Sequence, residues 1–411
     1  MTAFCLCHHW DFQRSKSSKT GHYIGRLVLD VLADVPDPRR AQGQLYKLPH
    51  VLLFAILAIV TGCHSYRGIV TFIAVHRRRL NATFGLNWRR APAHTAVRYI
   101  LQGLDPVAVE AAFRRHAALL QTTRATTGQG SIALDGKTLR GSFDKFNDRA
   151  AAQVLSAFAT DTALVLAHMD IAERSNEIPA AQTLLAELGV GDGAIVTLDA
   201  LHCQKTFRDR SRRQHCPDRR GQGQPADPAS DNPGHLGHHD TARVSLRHDK
   251  GRNRDERRTV TVLDPADKLA DTDWHPHVAT IIRVERDVYT RNAKTGLLRH
   301  STETAFYVSN TPMTAARAAE AIRAHWRIEN TSHYSRDVTL GGVAQGSSRD
   351  SGWNSNGGED RSRMRTNPGV FARLRSFAFN ILKANQTDTL SQDRYRAGLA
   401  GIKSLLSYQL P

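Results

Sequence analysis

The chain has 411 residues, with 56 lysines and arginines against 39 aspartates and glutamates, a formal charge of +17 and a pI near 10.1. That length suffices for two or three domains with cores of their own. A surplus this basic suits polyanionic partners, although a basic enzyme without a nucleic-acid role has the same composition.

Five scattered cysteines (Cys5, Cys7, Cys63, Cys203 and Cys216) carry no paired spacing, which argues against a disulfide framework and fits a reducing, cytoplasmic setting. Residues 1–23 read as a poorly ordered start. They hold Cys5-Leu-Cys7-His8-His9, but a zinc site needs a second half that is absent there. No basic head leads into an apolar signal core, so export is not expected.

Residues 24–122 read as a helical N-terminal domain. Its most apolar window, Val51–Thr61, is about half the length of a membrane span and reads as a buried core helix. Tyr66, Ile69, Phe72 and Ile73 continue a helical stripe beyond Gly62. Arg77, Arg78, Arg79, Arg89 and Arg90 then crowd one segment, either as phosphate contacts or as a solvated face.

Around residue 128 the pattern changes. Ser131-Ile-Ala-Leu-Asp135 is a short apolar run ending in an acid, with Gly136 supplying a turn. Two strands follow, Val154–Ala159 and Ala163–His168, and then a helix with Ile178, Ala181, Leu184, Leu185 and Leu188 on one side, stopped by Gly189. Ala194-Ile-Val-Thr-Leu-Asp199 is a second apolar run ending in an acid. A third acid, Glu329, lies in the helically spaced segment Ala321–Asn330. The order strand, strand, strand, helix, strand, with acids on the first and fourth strands, is the opening of a ribonuclease-H-like α/β fold. In such a fold neighbouring strand ends gather acids from distant sequence positions. The long gap before Glu329 calls for an inserted, strand-rich element. Gly136-Lys137-Thr138 also resembles the end of a phosphate-binding loop, but the glycine needed five residues earlier is Ser131.

Several motifs together carry a family resemblance. Leu134–Ser142, Ser175-Asn-Glu-Ile-Pro179, Leu198-Asp-Ala-Leu-His202 with Gln204, His325-Trp-Arg-Ile-Glu-Asn330 and Asn367–Ser376 resemble, in this order, the bacterial insertion-sequence transposases of the H-repeat-associated group. The resemblance runs over most of residues 25–407. It implies a DDE transposase that cleaves DNA ends and transfers strands with Mg²⁺, or Mn²⁺ as substitute. Asp135 and Asp199 then correspond to the two catalytic, metal-holding aspartates and Glu329 to the glutamate. Where related transposases place tyrosine, arginine and lysine around the glutamate, this chain has Ile322, His325 and Arg336. Lys137, Arg140, His325, Arg336, Arg373 and Arg375 are the candidate DNA contacts. The resemblance also implies element ends and target DNA as partners, an oligomer on paired ends, and a bacterial cytoplasm, with nucleoid association when DNA is bound. A catalytically inactive DNA-binding derivative of a transposase is the alternative.

The implied organisation continues with residues 128–206 as the first part of the core and 259–315 as the strand-rich insertion. Residues 316–341 carry the glutamate helix, and 359–411 form a helical C-terminal region. Two stretches break the pattern. Residues 207–258 are basic and poor in aliphatic side chains and read as frame-shifted or disordered. Residues 342–358 read as an inserted Gly/Ser/Asn loop.

Overall fold

The computed structural model describes residues 2–8, 24–124, 131–139, 142, 151–171, 177–189, 193–199, 243–328, 331, 340 and 366–408, apart from 252, 266–268, 271, 273 and 387. The unusual stretch 200–242 and the loop 342–358 lie outside the described residues, as do Arg140, Glu329 and Arg336. The chain is of mixed α/β type and divides into two compact units.

The first unit comprises Met1–Trp10, Gln129–Asp135 and Glu177–Trp326. Its strands are β1 (Thr2–His8), the start of β2 (Ser131–Thr138), β5 (Gly193–Leu198), β6 (Arg243–Gly251), β7 (Arg254–Leu263), β8 (Thr280–Arg291) and β9 (Leu298–Ser309). They are ordered β2-β5-β1-β9-β8-β7-β6. β2 and β5 run parallel, whereas β6 to β9 form an antiparallel meander. This meander runs from Arg243 to Ser309, beginning before residue 259, where the strand-rich insertion was expected to start. β6 and the start of β7 fall inside the segment expected to be frame-shifted or disordered. From Arg243 onward polar and aliphatic residues alternate well enough to pair as a hairpin, which turns at Asn253 with φ of 56°.

The start of the chain also departs from expectation. Rather than being poorly ordered, residues 2–8 pair antiparallel with β5 and parallel with β9. The run Thr-Ala-Phe-Cys-Leu-Cys is short but strand-compatible, and two strand edges are there to satisfy its backbone groups.

Two helices complete this unit: α6 (Glu177–Glu187), ended by Gly189 at φ of 56°, and α7 (Ala315–Arg327). The Thr314 hydroxyl accepts a hydrogen bond from the Arg317 amide at the start of α7. Ala318, Ala321 and Ile322 pack with Ile195, Val260, Ile282, Val284 and Tyr307. Small residues on the helix let it approach the sheet closely, and each buried large apolar side chain contributes about 1.5–3 kcal/mol.

The second unit comprises Asp11–Gly128, Gly136–Asn176 and Arg327–Pro411. It holds α1 (Ile24–Ala33), α2 (Leu48–Val60), α3 (Tyr66–Phe84), α4 (His94–Gln102) and α5 (Pro106–Arg124). The β3–β4 hairpin (Gln153–Ala159, Leu164–Ile171) and the helices α8 (Pro368–Ala384) and α9 (Leu390–Ser407) complete it. The stretch Ala41–Val60 is apolar enough to cross a membrane by length and composition. Its helix α2 is nonetheless a core element, buried from Val51 to Val60 among α1, α3, α8 and α9. The N-terminal helices thus share one core with the hairpin and the C-terminal helices.

Candidate active site

β2 and β5 place the two aspartates. The register pairs Ser131 with Ile195, Ile132 with Val196 and Ala133 with Thr197, a constant offset of 64 residues. The paired register ends at Ala133 and Thr197; Asp135 lies two residues further along β2, which runs on through Gly136 to Thr138 rather than turning there, and Asp199 directly follows β5. Neighbouring strands lie about 4.8 Å apart, and residues opposite each other in a parallel pair project to the same side. Asp135 and Asp199, far apart in sequence, thus lie on or just beyond neighbouring strands. Apolar positions before them are buried, with Ala133, Leu134, Val196 and Leu198 almost wholly enclosed. Asp135 is half-buried and Asp199 exposed.

α7 covers one face of β5. Ile195, Thr197 and Asp199 alternate along the strand, and the first of them packs against α7. One turn further along α7, His325 Nδ1 lies 2.8 Å from the Thr197 hydroxyl. Burial depresses the His325 pKa to about 4, against an opposing pull from the nearby Asp199. The imidazole is therefore neutral at physiological pH. Half-buried and uncharged, it holds Thr197 from the helix side. Sequence reasoning placed His325 beside Glu329 in the motif but missed its link to Thr197, because nothing in the sequence pairs a helix residue with a strand residue 128 positions away.

The other candidates separate by environment. Lys137 follows Asp135 by two positions on β2 and is half-buried. Arg373, expected at DNA, lies instead in the core of the second unit. Its Nε donates to Glu110 Oε2 at 2.8 Å, and its two terminal nitrogens donate to Asp170 Oδ1 and Oδ2 at 3.1 and 3.2 Å. A guanidinium only 3% exposed and bound in this way has no donors facing DNA. Arg375 is half-buried with its Nε enclosed and its guanidinium 4.6 Å over the Phe371 ring. Burial lowers its pKa to about 10, which leaves it charged at neutral pH.

For a divalent ion the aspartate pair is a suitable beginning: two carboxylates on adjacent strand ends supply the oxygen ligands that hard cations prefer. Among the described residues no cluster of three His, Cys, Asp or Glu side chains forms, and Glu329, the third acid of the motif, lies outside them.

Residues 127–345 match the Transposase DDE domain, and residues 29–117 match the DDE_Tnp_1-associated domain that accompanies it. The chain belongs to the DDE transposase family. The domain match covers more than half of the chain and includes the β2–β5 pair, α7 and Glu329. Similar proteins include the H repeat-associated putative transposase YhhI of Escherichia coli strain K12. It is 27% identical over 377 residues, which is 87% of this chain and 90% of the relative. Protein YbfL of the same strain, named as putative, matches to the same extent. A putative transposase YncI of that strain is 30% identical over 183 residues, covering 44% of this chain and 72% of the relative. Matched domain and relatives together support a transposase role with DNA as the partner. The family generally uses divalent metal ions.

Proposed function

We propose that this transposase cleaves the ends of an insertion sequence and joins them to target DNA, using Asp135 and Asp199 with Glu329 as its acidic triad. The observation that supports the reading is the parallel pairing of β2 with β5, after which Asp135 and Asp199 each follow the last paired positions, Ala133 and Thr197, by two residues. Glu329 enters through the family motif and stands four residues after His325 in sequence. The ribonuclease-H-like reading of the core rests on the same strand pair, on the element order β2, β3, β4, α6, β5, and on the matched domain.

Asp135 and Asp199 would hold Mg²⁺, or Mn²⁺ in its place. Bound there, such an ion lowers the pKa of the attacking oxygen and stabilises charge on the leaving one. In cleavage the water oxygen bonds to phosphorus and the P–O3′ bond breaks, with a proton passing to the departing 3′ oxygen. In joining, that 3′-hydroxyl bonds to a target phosphorus and displaces the target's own 3′ oxygen, so one phosphodiester is exchanged for another. The chain's residues fix the geometry for both steps. The paired strand ends set the spacing of the acids, Thr197 and His325 hold the adjoining helix face, and neutral His325 adds no charge to compete with the ion for Asp199.

The test uses a labelled duplex bearing the element's own ends with Mg²⁺ or Mn²⁺, and a supercoiled target. Wild type is expected to give nicked ends and joined products, both absent for Asp135→Ala at equal stability and DNA affinity. Ends that are bound but never cut, by a chain whose folding is verified and beside an active relative, would overturn the catalytic reading in favour of a DNA-binding derivative.

A further inference from the structure

From Pro38 to Leu104 the chain has ten lysines and arginines and not one aspartate or glutamate. At the chain's overall frequency of 39 acids in 411 residues, about six would be expected there. The stretch runs from the turn after α1 to the end of α4. Its nearest preceding acid, Asp37, is already engaged by Arg39 at 2.6 Å.

Structure concentrates part of this charge. Trp88 is a buried anchor between the end of α3 and the start of α4. Its amide donates to Asn81 Oδ1 at 3.3 Å, its carbonyl accepts from Asn81 Nδ2 at 3.0 Å, and its ring meets Tyr46 edge-on at 4.8 Å. The next two residues, Arg89 and Arg90, are exposed, yet their backbone is held: Arg77 donates to the Arg89 carbonyl and the Tyr46 hydroxyl to the Arg90 carbonyl at 3.2 Å. Exposed Lys47 follows Tyr46, and exposed Arg78 and Arg79 follow Arg77 on α3. Among the described residues Arg78, Arg79, Arg89 and Arg90 have no carboxylate partner. Arginines with no partner, repelling one another from a loop fixed at three points, cost stability unless an anion uses them, and a fixed loop loses little entropy when it binds one.

We infer that this face of the helical region, with Arg89 and Arg90 at its centre and Lys47, Arg78 and Arg79 around them, is a docking surface for the phosphate backbone of double-stranded DNA. It deepens the transposase reading and rests on it for the choice of DNA as the polyanion. It supplies affinity and orientation, and its contacts are with phosphates, so binding here is largely independent of base sequence.

The test is the salt dependence of binding of the full chain to a labelled generic-sequence 40-base-pair duplex, measured without divalent ions. Compared are wild type, Arg89→Ala/Arg90→Ala, and Lys294→Ala/Arg299→Ala as a charge-matched pair at the exposed end of the β8–β9 hairpin. Each phosphate contact contributes about 0.9 to the slope of log affinity against log salt. The Arg89/Arg90 variant is expected to lose roughly 1.8 from that slope and about tenfold or more in affinity at 0.1 M salt, with unchanged thermal stability. The Lys294/Arg299 variant should bind as wild type does. An equal loss in both double variants, or no loss at Arg89/Arg90, overturns the surface. Because Asp135-dependent cleavage is measured separately, that failure leaves the catalytic reading standing, and loss of cleavage with an intact salt slope does the reverse.

Discussion

Arg373 and Glu110, 263 residues apart, meet in the core of the second unit, the guanidinium Nε 2.8 Å from the carboxylate. Around this contact α5, β4 and α8 converge. Glu110 also accepts from the His168 amide at 2.6 Å and from Arg114 at 2.9 Å, and His168 Nε2 lies 2.9 Å from the Ser376 hydroxyl. Removing one partner of such a buried pair strands the other, at about 3–5 kcal/mol. Arg373→Ala should therefore lower stability by that amount in urea denaturation while DNA affinity per folded molecule stays constant. Weakened DNA binding with stability unchanged would return Arg373 to the DNA surface.

His116 is fully buried on α5 against Phe377, with ring centroids 5.0 Å apart, and neither of its ring nitrogens has a hydrogen-bond partner among the described residues. Burial pushes its pKa down to about 3. The unfolded chain, with an ordinary value near 6.5, takes up the proton first, so stability falls as pH drops below 6.5, by about 2 kcal/mol at pH 5. His116→Leu should be more stable at pH 7 by about 1–3 kcal/mol, the cost of the unsatisfied nitrogens. Its stability should also fall less steeply than wild type's between pH 6.5 and 5, as read from urea midpoints, with the remaining slope coming from His64 and His325, whose pKa values burial likewise lowers to about 4.

Glu110 adds a separate limb at lower pH. Burial opposes its charge, but His168, through charge and hydrogen bonds, and Arg373 outweigh burial and hold its pKa near 2. Its contribution is present above about pH 4.5 and is lost as pH falls toward 2. Thermal melts of His116→Leu should retain this limb, and a Glu110→Gln/His116→Leu double variant should lose both.

Thr197→Val should remove the hydroxyl that meets His325 while keeping the shape of β5. The imidazole nitrogen left behind in a half-buried setting costs about 1–3 kcal/mol. Stability measured by denaturation should drop by that amount, and DNA affinity should not change. An unaltered stability would mean that Thr197 does not hold α7 to the strand.

Deleting residues 2–8 leaves the edges of both β5 and β9 without a ladder partner. Open strand edges pair with other chains. Sedimentation should show a shift toward large aggregates for the truncated protein, whereas full retention of a single species would argue that β1 is dispensable.

The strands β2 and β5, which lead to Asp135 and Asp199, were legible in the sequence because each is a short apolar run bounded by polar residues. α2, α3, α6, α8 and the β3–β4 hairpin were legible for the same reason of period and punctuation. Other features depended on partners distant in sequence. Arg373 sits among apolar residues of α8 and shows nothing locally of Glu110 or Asp170. Residues 2–8 resembled a fragment of a metal site because their strand character matters only when β5 and β9 flank them. Arg243–Arg258 looked unfoldable because its charges, such as Glu256 with Arg258 at 2.7 Å and Arg286 at 3.0 Å, neutralise one another only after the meander has formed.

The most direct test of the paired aspartates is the rate of end cleavage with Mg²⁺ for wild type, Asp135→Asn, Asp199→Asn and the double variant, under single-turnover conditions. Groups that act as a unit are non-additive, so each single substitution should abolish nearly all of the rate and the double variant should lose no more. Cleavage by either single variant within a few fold of wild type would contradict a site built on Asp135 and Asp199.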